Sequence, residues 1–108
     1  MIIDLNYLRT LSGGDEQFIG EMVDIFREQV AEYLKEMPLL LEQSDYANLS
    51  RLAHKAKSSV AIMGMNDEAE YLKELELMAR EGKDPEACRE YVNRFMTTCR
   101  QVLEELNT

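Results

Sequence analysis

A chain of 108 residues, 45% hydrophobic and 31% charged, is long enough to bury one core without staples and too apolar to be disordered. Its net charge of −9 sets it against nucleic acid and anionic membranes, which repel such a protein everywhere except at a local basic patch. Glycine and proline are scarce (5 and 2), tryptophan is absent, and leucine, glutamate, alanine and methionine dominate, which favours helices.

No run approaches the roughly 20 apolar residues that span a bilayer. The start, Met1-Ile2-Ile3-Asp4, lacks the basic opening and apolar stretch of a signal peptide, so the expected location is the cytoplasm. In chain order, Asp4 is the expected N-cap of a short helix to about Leu11, with Leu5, Leu8 and Leu11 along one side. Ser12-Gly13-Gly14 ends it in a helix-helix turn, since no P-loop lysine follows and no strand precedes. From Asp15, Phe18 or Ile19, Met22, Val23, Phe26, Val30, Tyr33, Leu34 and Met37 recur every three or four residues, the pattern of an amphipathic helix. Pro38 predicts a kink or break near Glu36 or Met37, because its ring crowds the carbonyl four residues back. Leu39, Leu40 and Leu41 divide between core and an exposed lip in a way the pattern leaves open.

Ser44-Asp45 caps the next helix, which runs to about Met63, with Gly64 placed for a left-handed C-terminal cap. Asn66 is expected to cap the following one, with Asp67, Glu68 and Glu70 in its first turn and Tyr71, Leu72, Leu75, Met78 and Ala79 as its buried stripe. Gly82 closes it. Asp84-Pro85 opens the last helix, whose inner face carries Cys88, Val92, Phe95, Cys99, Leu103 and Leu106. The two cysteines stand roughly 16 Å apart on that helix and cannot bond to each other within it, so they read as buried residues of a reducing compartment. The expected fold is all-α, an antiparallel up-and-down four-helix bundle with a short extra N-terminal helix, as one domain over residues 1–108.

The one histidine, His54, lies in the middle of this pattern. Leu49, Leu52, Ala53, Ala56, Val60 and Met63 fall on one side of its helix, and His54 faces the other way with Ala47, Ser50, Arg51, Lys57, Ser58 and Ala61. No acidic residue occurs from Tyr46 to Asn66, whereas Arg51, Lys55 and Lys57 contribute +3, leaving −12 for the rest of the −9 chain. A basic island around an exposed imidazole on an acidic protein suits an anion.

Metal chemistry fits poorly: a bundle metal site needs glutamates at ligand spacing, including Glu-x-x-His, and Arg51 stands three residues before His54. Hydrolysis by Ser58 or Ser59 lacks an acid on the same helix to orient the imidazole. A neutral ring nitrogen as nucleophile toward phosphorus remains, with Lys57 one turn away as a point cation and Lys55 and Arg51 adding field from the sides.

His54-x-x-Lys57-x-Ser59, then Gly64 ten residues after the histidine, then Leu75-Glu76, resembles the histidine-containing phosphotransfer (HPt) domain of multistep two-component signalling. The stretch from Tyr7-Leu8 to Phe26, with its Ser-Gly-Gly-Asp turn, is similar to the opening of these domains. The resemblance implies a bundle whose His54 accepts a phosphoryl group from a receiver-domain phospho-aspartate and passes it to another receiver, with Lys57 neutralising phosphate. It places Glu76 where the family often has a polar residue orienting the ring; a surface ion pair of Glu76 with Lys73 or Arg80 is the competing assignment. Ser58 departs from the glycine usual after the lysine. The resemblance further implies response-regulator receivers and a hybrid sensor histidine kinase as partners, no kinase activity and no cofactor of its own, and Mg²⁺ held by the receiver. A free-standing monomer is expected rather than a piece of a hybrid kinase. The alternative of a different class is a non-catalytic helical adaptor whose basic face around His54 binds an acidic partner.

Overall fold

Aspartates start three of the helices in the computed structural model, which describes residues 2–107. Asp15 accepts from the backbone N–H groups of Gln17 and Phe18, Asp45 from that of Asn48 and Asp84 from that of Ala87, each satisfying donors that a first helical turn leaves open. The elements are α1 (Asn6–Ser12), α2 (Glu16–Glu42), α3 (Tyr46–Ile62), α4 (Asn66–Glu81) and α5 (Pro85–Leu106). No strand occurs among the described residues. Met1 and Thr108, which the single-domain reading includes, lie outside them.

Residues 43–45, 63–65 and 82–84 are the only connections between the long helices, so successive helices run antiparallel. α2 packs on α3 and α5, α4 packs on the same two, and α1 lies chiefly against α2. The four long helices therefore close a ring around one core, with Phe26, Tyr33, Met37, Leu49, Leu75 and Phe95 among its fully buried side chains. Burying an aromatic hydroxyl without a partner would cost free energy. Tyr33 avoids that through a 2.8 Å hydrogen bond with Ser59 Oγ, which ties α2 to α3 beneath the surface that carries His54. Cys88 and Cys99 are free thiols, both buried. Burial pushes the Cys99 thiol up to about 12, well away from the reactive thiolate form.

Several expectations are corrected. Of the kink or break expected at Pro38, the break does not occur: α2 runs through the proline to Glu42. Proline stands on the exposed side of the helix, while Met37 and Leu41 are buried and hold the last turn to the core. Leu39 is exposed, Leu40 half-buried and Leu41 buried, which divides the leucine triplet. Asn66 is the first helical residue of α4, not its cap; Met65, buried at 4% exposure, takes the cap position and no side chain caps the helix. α1 begins at Asn6 rather than directly after Asp4, although the Asp4 carboxylate still accepts the Asn6 N–H at 3.0 Å. Within α1, Leu8 reaches the core and Leu11 does not, because so short a helix lying mainly on α2 buries little more than one turn.

Gly64 joins the N-terminal segment to the bundle. Its φ of 73° is left-handed, and a Cβ there would run into the backbone carbonyl of Asp4. Asp4 N–H donates to the Met63 carbonyl at 2.9 Å, and Ile2 N–H donates to the Glu105 carboxylate at 3.0 Å. Residues 2–4 thus cross the end of α3 and reach the end of α5. No helix among the described residues is long and apolar enough to cross a membrane.

Candidate functional site

Ser50, His54 and Lys57 recur at helical spacing on α3, and all three address one residue of α4. Ser50 Oγ donates to the Glu76 backbone carbonyl at 2.9 Å. His54 Nδ1 lies 3.2 and 3.1 Å from the two oxygens of the Glu76 carboxylate, and Lys57 Nζ lies 3.1 Å from Oε1. Glu76 is thus held to α3 through its main chain and its side chain together. The long contact between α3 and α4 makes this possible, since Leu72, Leu75 and Ala79 bury the neighbouring face of α4 and leave residue 76 at the rim. The competing partners Lys73 and Arg80 do not pair with it.

The His54 side chain is 63% exposed, that of Glu76 16% and that of Lys57 27%. A half-sheltered carboxylate therefore supports an open imidazole from behind. Burial pushes the Glu76 carboxyl up, but hydrogen bonds from Lys57 and His54 outweigh it and hold the group below its ordinary value. Glu76 is a carboxylate at neutral pH and can only accept, so Nδ1 of a neutral His54 carries the proton and Nε2 carries the lone pair. Nε2 has no hydrogen-bond partner among the described residues.

The charge around the ring differs from the basic island that α3 alone suggests. Lys57 is paired with Glu76, and Lys55 lies 3.6 Å from Glu32 on α2. Arg51 bonds the neutral Asn48 side chain at 3.2 Å. Two of the three positive charges thus meet carboxylates from neighbouring helices, which the pattern along one helix cannot report. Ser50, placed by phase on the exposed face, is buried at 8% exposure against α4. Glu32 was not singled out by sequence reasoning, and Ser50 only as a small neighbour of the histidine; a carboxylate one helix away has no signature in local spacing.

Ser58 is exposed beside the ring and lines a groove with His54, Met22, Ile25, Ile62 and Met63 between α2 and α3. Ser59 is turned inward, bonded to Tyr33 and to the Lys55 carbonyl at 3.3 Å. Neither hydroxyl bonds the imidazole, so the histidine and glutamate have no serine to activate. No group of three or more His, Cys, Asp or Glu among the described residues is arranged to hold a metal ion. The arrangement offers one nucleophilic ring nitrogen, a proton held on the other nitrogen by a carboxylate, and one ammonium a turn away.

A protein-family comparison matches residues 21–108 to the Hpt domain. The matched segment contains α3, α4, α5 and most of α2; α1 and the glycine turn precede it. No significant match to a curated protein or to a solved structure was found.

Proposed function

The chain belongs to the Hpt domain family, whose members carry phosphoryl groups on histidine in phosphorelays, and from that premise we propose that His54 is the carrier residue. In this reading it accepts a phosphoryl group from the phospho-aspartate of one receiver domain and passes it to the aspartate of another. The observation that supports it is the contact between Nδ1 and Glu76 behind a ring that is otherwise open.

The step follows from that contact. The Nε2 lone pair attacks phosphorus in line, the P–O bond to the receiver's aspartate breaks, and the aspartate leaves as a carboxylate. The ring retains its proton on Nδ1 and becomes cationic, and the Glu76 carboxylate balances that charge. Onward transfer reverses the bond changes: the P–N bond breaks, its electron pair returns to Nε2, and a neutral ring departs with Nδ1 still protonated. Lys57 supplies positive charge to the phosphoryl oxygens, in competition with its resting partner Glu76. The receiver brings the aspartate and its Mg²⁺. The protein acts as a monomeric carrier in the cytoplasm, between a hybrid sensor kinase and response regulators, with no kinase activity of its own.

The adaptor alternative loses much of its premise, because Glu32 and Glu76 offset two of the basic charges on which it depends. Mixing the protein with a panel of phosphorylated receivers tests the relay reading. Acid-labile, alkali-stable label on the wild type and none on a folded His54→Gln variant is the expected outcome. Label that survives on the variant, or none from any receiver of the same cell on folded wild type, would overturn it.

A further inference from the structure

We propose that the Ser58 hydroxyl donates a hydrogen bond to the phosphoryl group carried on His54 Nε2 and so draws the transfer equilibrium toward the phosphohistidine, a role that rests on the phosphotransfer reading above. A helix turns about 100° per residue, so Lys57 and Ser58 flank His54, Lys57 about 60° to one side and Ser58 about 40° to the other. Lys57 is on the α4 side, where it meets Glu76 together with His54 Nδ1. Ser58 is on the α2 side and lines the groove with His54. Because the ring gives Nδ1 to α4, a group bonded to Nε2 extends away from the Glu76 carboxylate.

Three serines occupy α3, and one of them has nothing to bond. Ser50 Oγ donates to the Glu76 carbonyl, and Ser59 bonds Tyr33 and the Lys55 carbonyl four residues back; both are buried. Ser58 is exposed, and its hydroxyl makes no hydrogen bond among the described residues. It does not even take the His54 carbonyl four residues back, the partner that a helical serine reaches most easily. Among the other polar side chains of the groove, Lys55 is drawn to Glu32, and Gln29 belongs to α2. Ser58 alone pairs an unengaged donor with one-turn spacing from His54 on the same helix.

That spacing places the two Cβ atoms about 5–6 Å apart. Cα–Cβ bonds in a helix tilt toward its N-terminus, so Ser58 leans back over the turn that carries His54. A phosphoryl group brings three strong acceptor oxygens to that place. The hydroxyl rotates to offer its proton to one of them and keeps that proton throughout, so no covalent step changes. The bond exists only while phosphorus is on nitrogen, and it therefore stabilises the phosphorylated protein against the free one. Lys57 has to be shared with Glu76, whereas Ser58 has only water to give up. Glycine, the residue usual after the lysine, has no side chain with which to do this.

The test follows the division of label between the full chain and one receiver that phosphorylates it, approached from labelled receiver and from labelled protein. Both are kept dilute enough that little complex is present. The final ratio then depends only on the free energies of the separate proteins, so a residue that acts on docking changes how fast the ratio is reached and not its value. Ser58→Ala is expected to move the ratio about tenfold toward the receiver, the size of one hydrogen bond to a charged group. Ser58→Thr keeps the hydroxyl and is expected to stay close to wild type, with circular dichroism confirming the helices of each variant. A Ser58→Ala ratio equal to that of wild type would overturn the proposal while leaving the relay intact. The same shift in both variants would overturn it by making shape, not the hydroxyl, responsible. Acid-stable, alkali-labile label that disappears in Ser58→Ala would overturn it by making the serine an acceptor of phosphorus. A folded wild type that no receiver labels would refute the phosphotransfer reading itself, and the role of Ser58 with it.

Discussion

Glu74 and Glu76 stand two residues apart on α4 and serve opposite neighbours. Glu76 turns to α3, where it receives His54 and Lys57 at the edge of an open groove. Glu74 turns to α5 and accepts the Tyr91 hydroxyl at 2.6 Å. Around that bond Tyr91 stacks on Tyr71 with ring centroids 4.1 Å apart, and the Arg94 guanidinium lies 3.7 Å over the Tyr71 ring while reaching toward Glu68 at 3.6 Å. The Tyr91 hydroxyl and the Tyr71 and Arg94 side chains are all engaged by neighbours within the group, which joins α4 to α5. The Glu76 group leaves one ring nitrogen over. What distinguishes the reactive arrangement here is a free nucleophilic nitrogen on an exposed side chain; the unpartnered atom of the other group, Glu68 Oε2, is buried.

Substitutions on the two sides should separate accordingly. Lys57→Ala removes the ammonium nearest the transferring group and is expected to slow transfer by about 10²-fold in rapid-quench kinetics; an unchanged rate would remove its assigned role. Glu76→Ala should cost about tenfold, the size of one charge-assisted hydrogen bond. Glu76→Gln should recover part of that, because its amide oxygen still accepts from Nδ1, and nitrogen chemical shifts of the ring should report the same tautomer. Glu74→Gln should leave transfer untouched. Tyr91→Phe sharpens the contrast from the other side: urea unfolding should register a loss of about 1 kcal/mol or less, with transfer at the wild-type rate.

The smallest effects lie at the extremes of pH, and they have opposite signs. The Glu76 carboxyl is held below its ordinary value of 4.5 in the folded protein. Its contribution to stability is therefore present above that value and is lost as pH falls through the lower folded one. The Tyr91 phenol is pushed up from 10.0 to about 12, first by its hydrogen bond to Glu74 and then by burial. The folded state keeps that proton longer than the unfolded chain, so its contribution is present below pH 10 and is lost as pH rises through about 12. Urea midpoints across pH should show the acid-side loss reduced in Glu76→Gln and the alkaline-side loss reduced in Tyr91→Phe. The same loss in variant and wild type would separate the titration from the named contact.

Along the chain, the sequence by itself determined the helices and most of their ends. Asp15, Asp45 and Asp84 cap in the way their side chains permit, Gly82 adopts the left-handed conformation that ends α4, and the apolar period of α3 names its buried apolar residues, though not the buried Ser50 and Ser59. These are interactions within a few residues, and spacing encodes them fully. Pro38 and Asn66 misled because a local preference of about 1 kcal/mol for the cap and about 3 for the proline yields where Met37, Leu41 and Met65 gain burial in a shared core. Only the tertiary structure decided the charge and geometry of the site. His54 could be placed on an exposed face by phase, but the carboxylate behind it, the pairing of Lys55 with Glu32 and the burial of Ser50 belong to contacts between helices. Such contacts depend on the rotation and offset of one helix against the next, and many buried side chains acting together fix those two quantities, where the pattern of any one helix leaves them free.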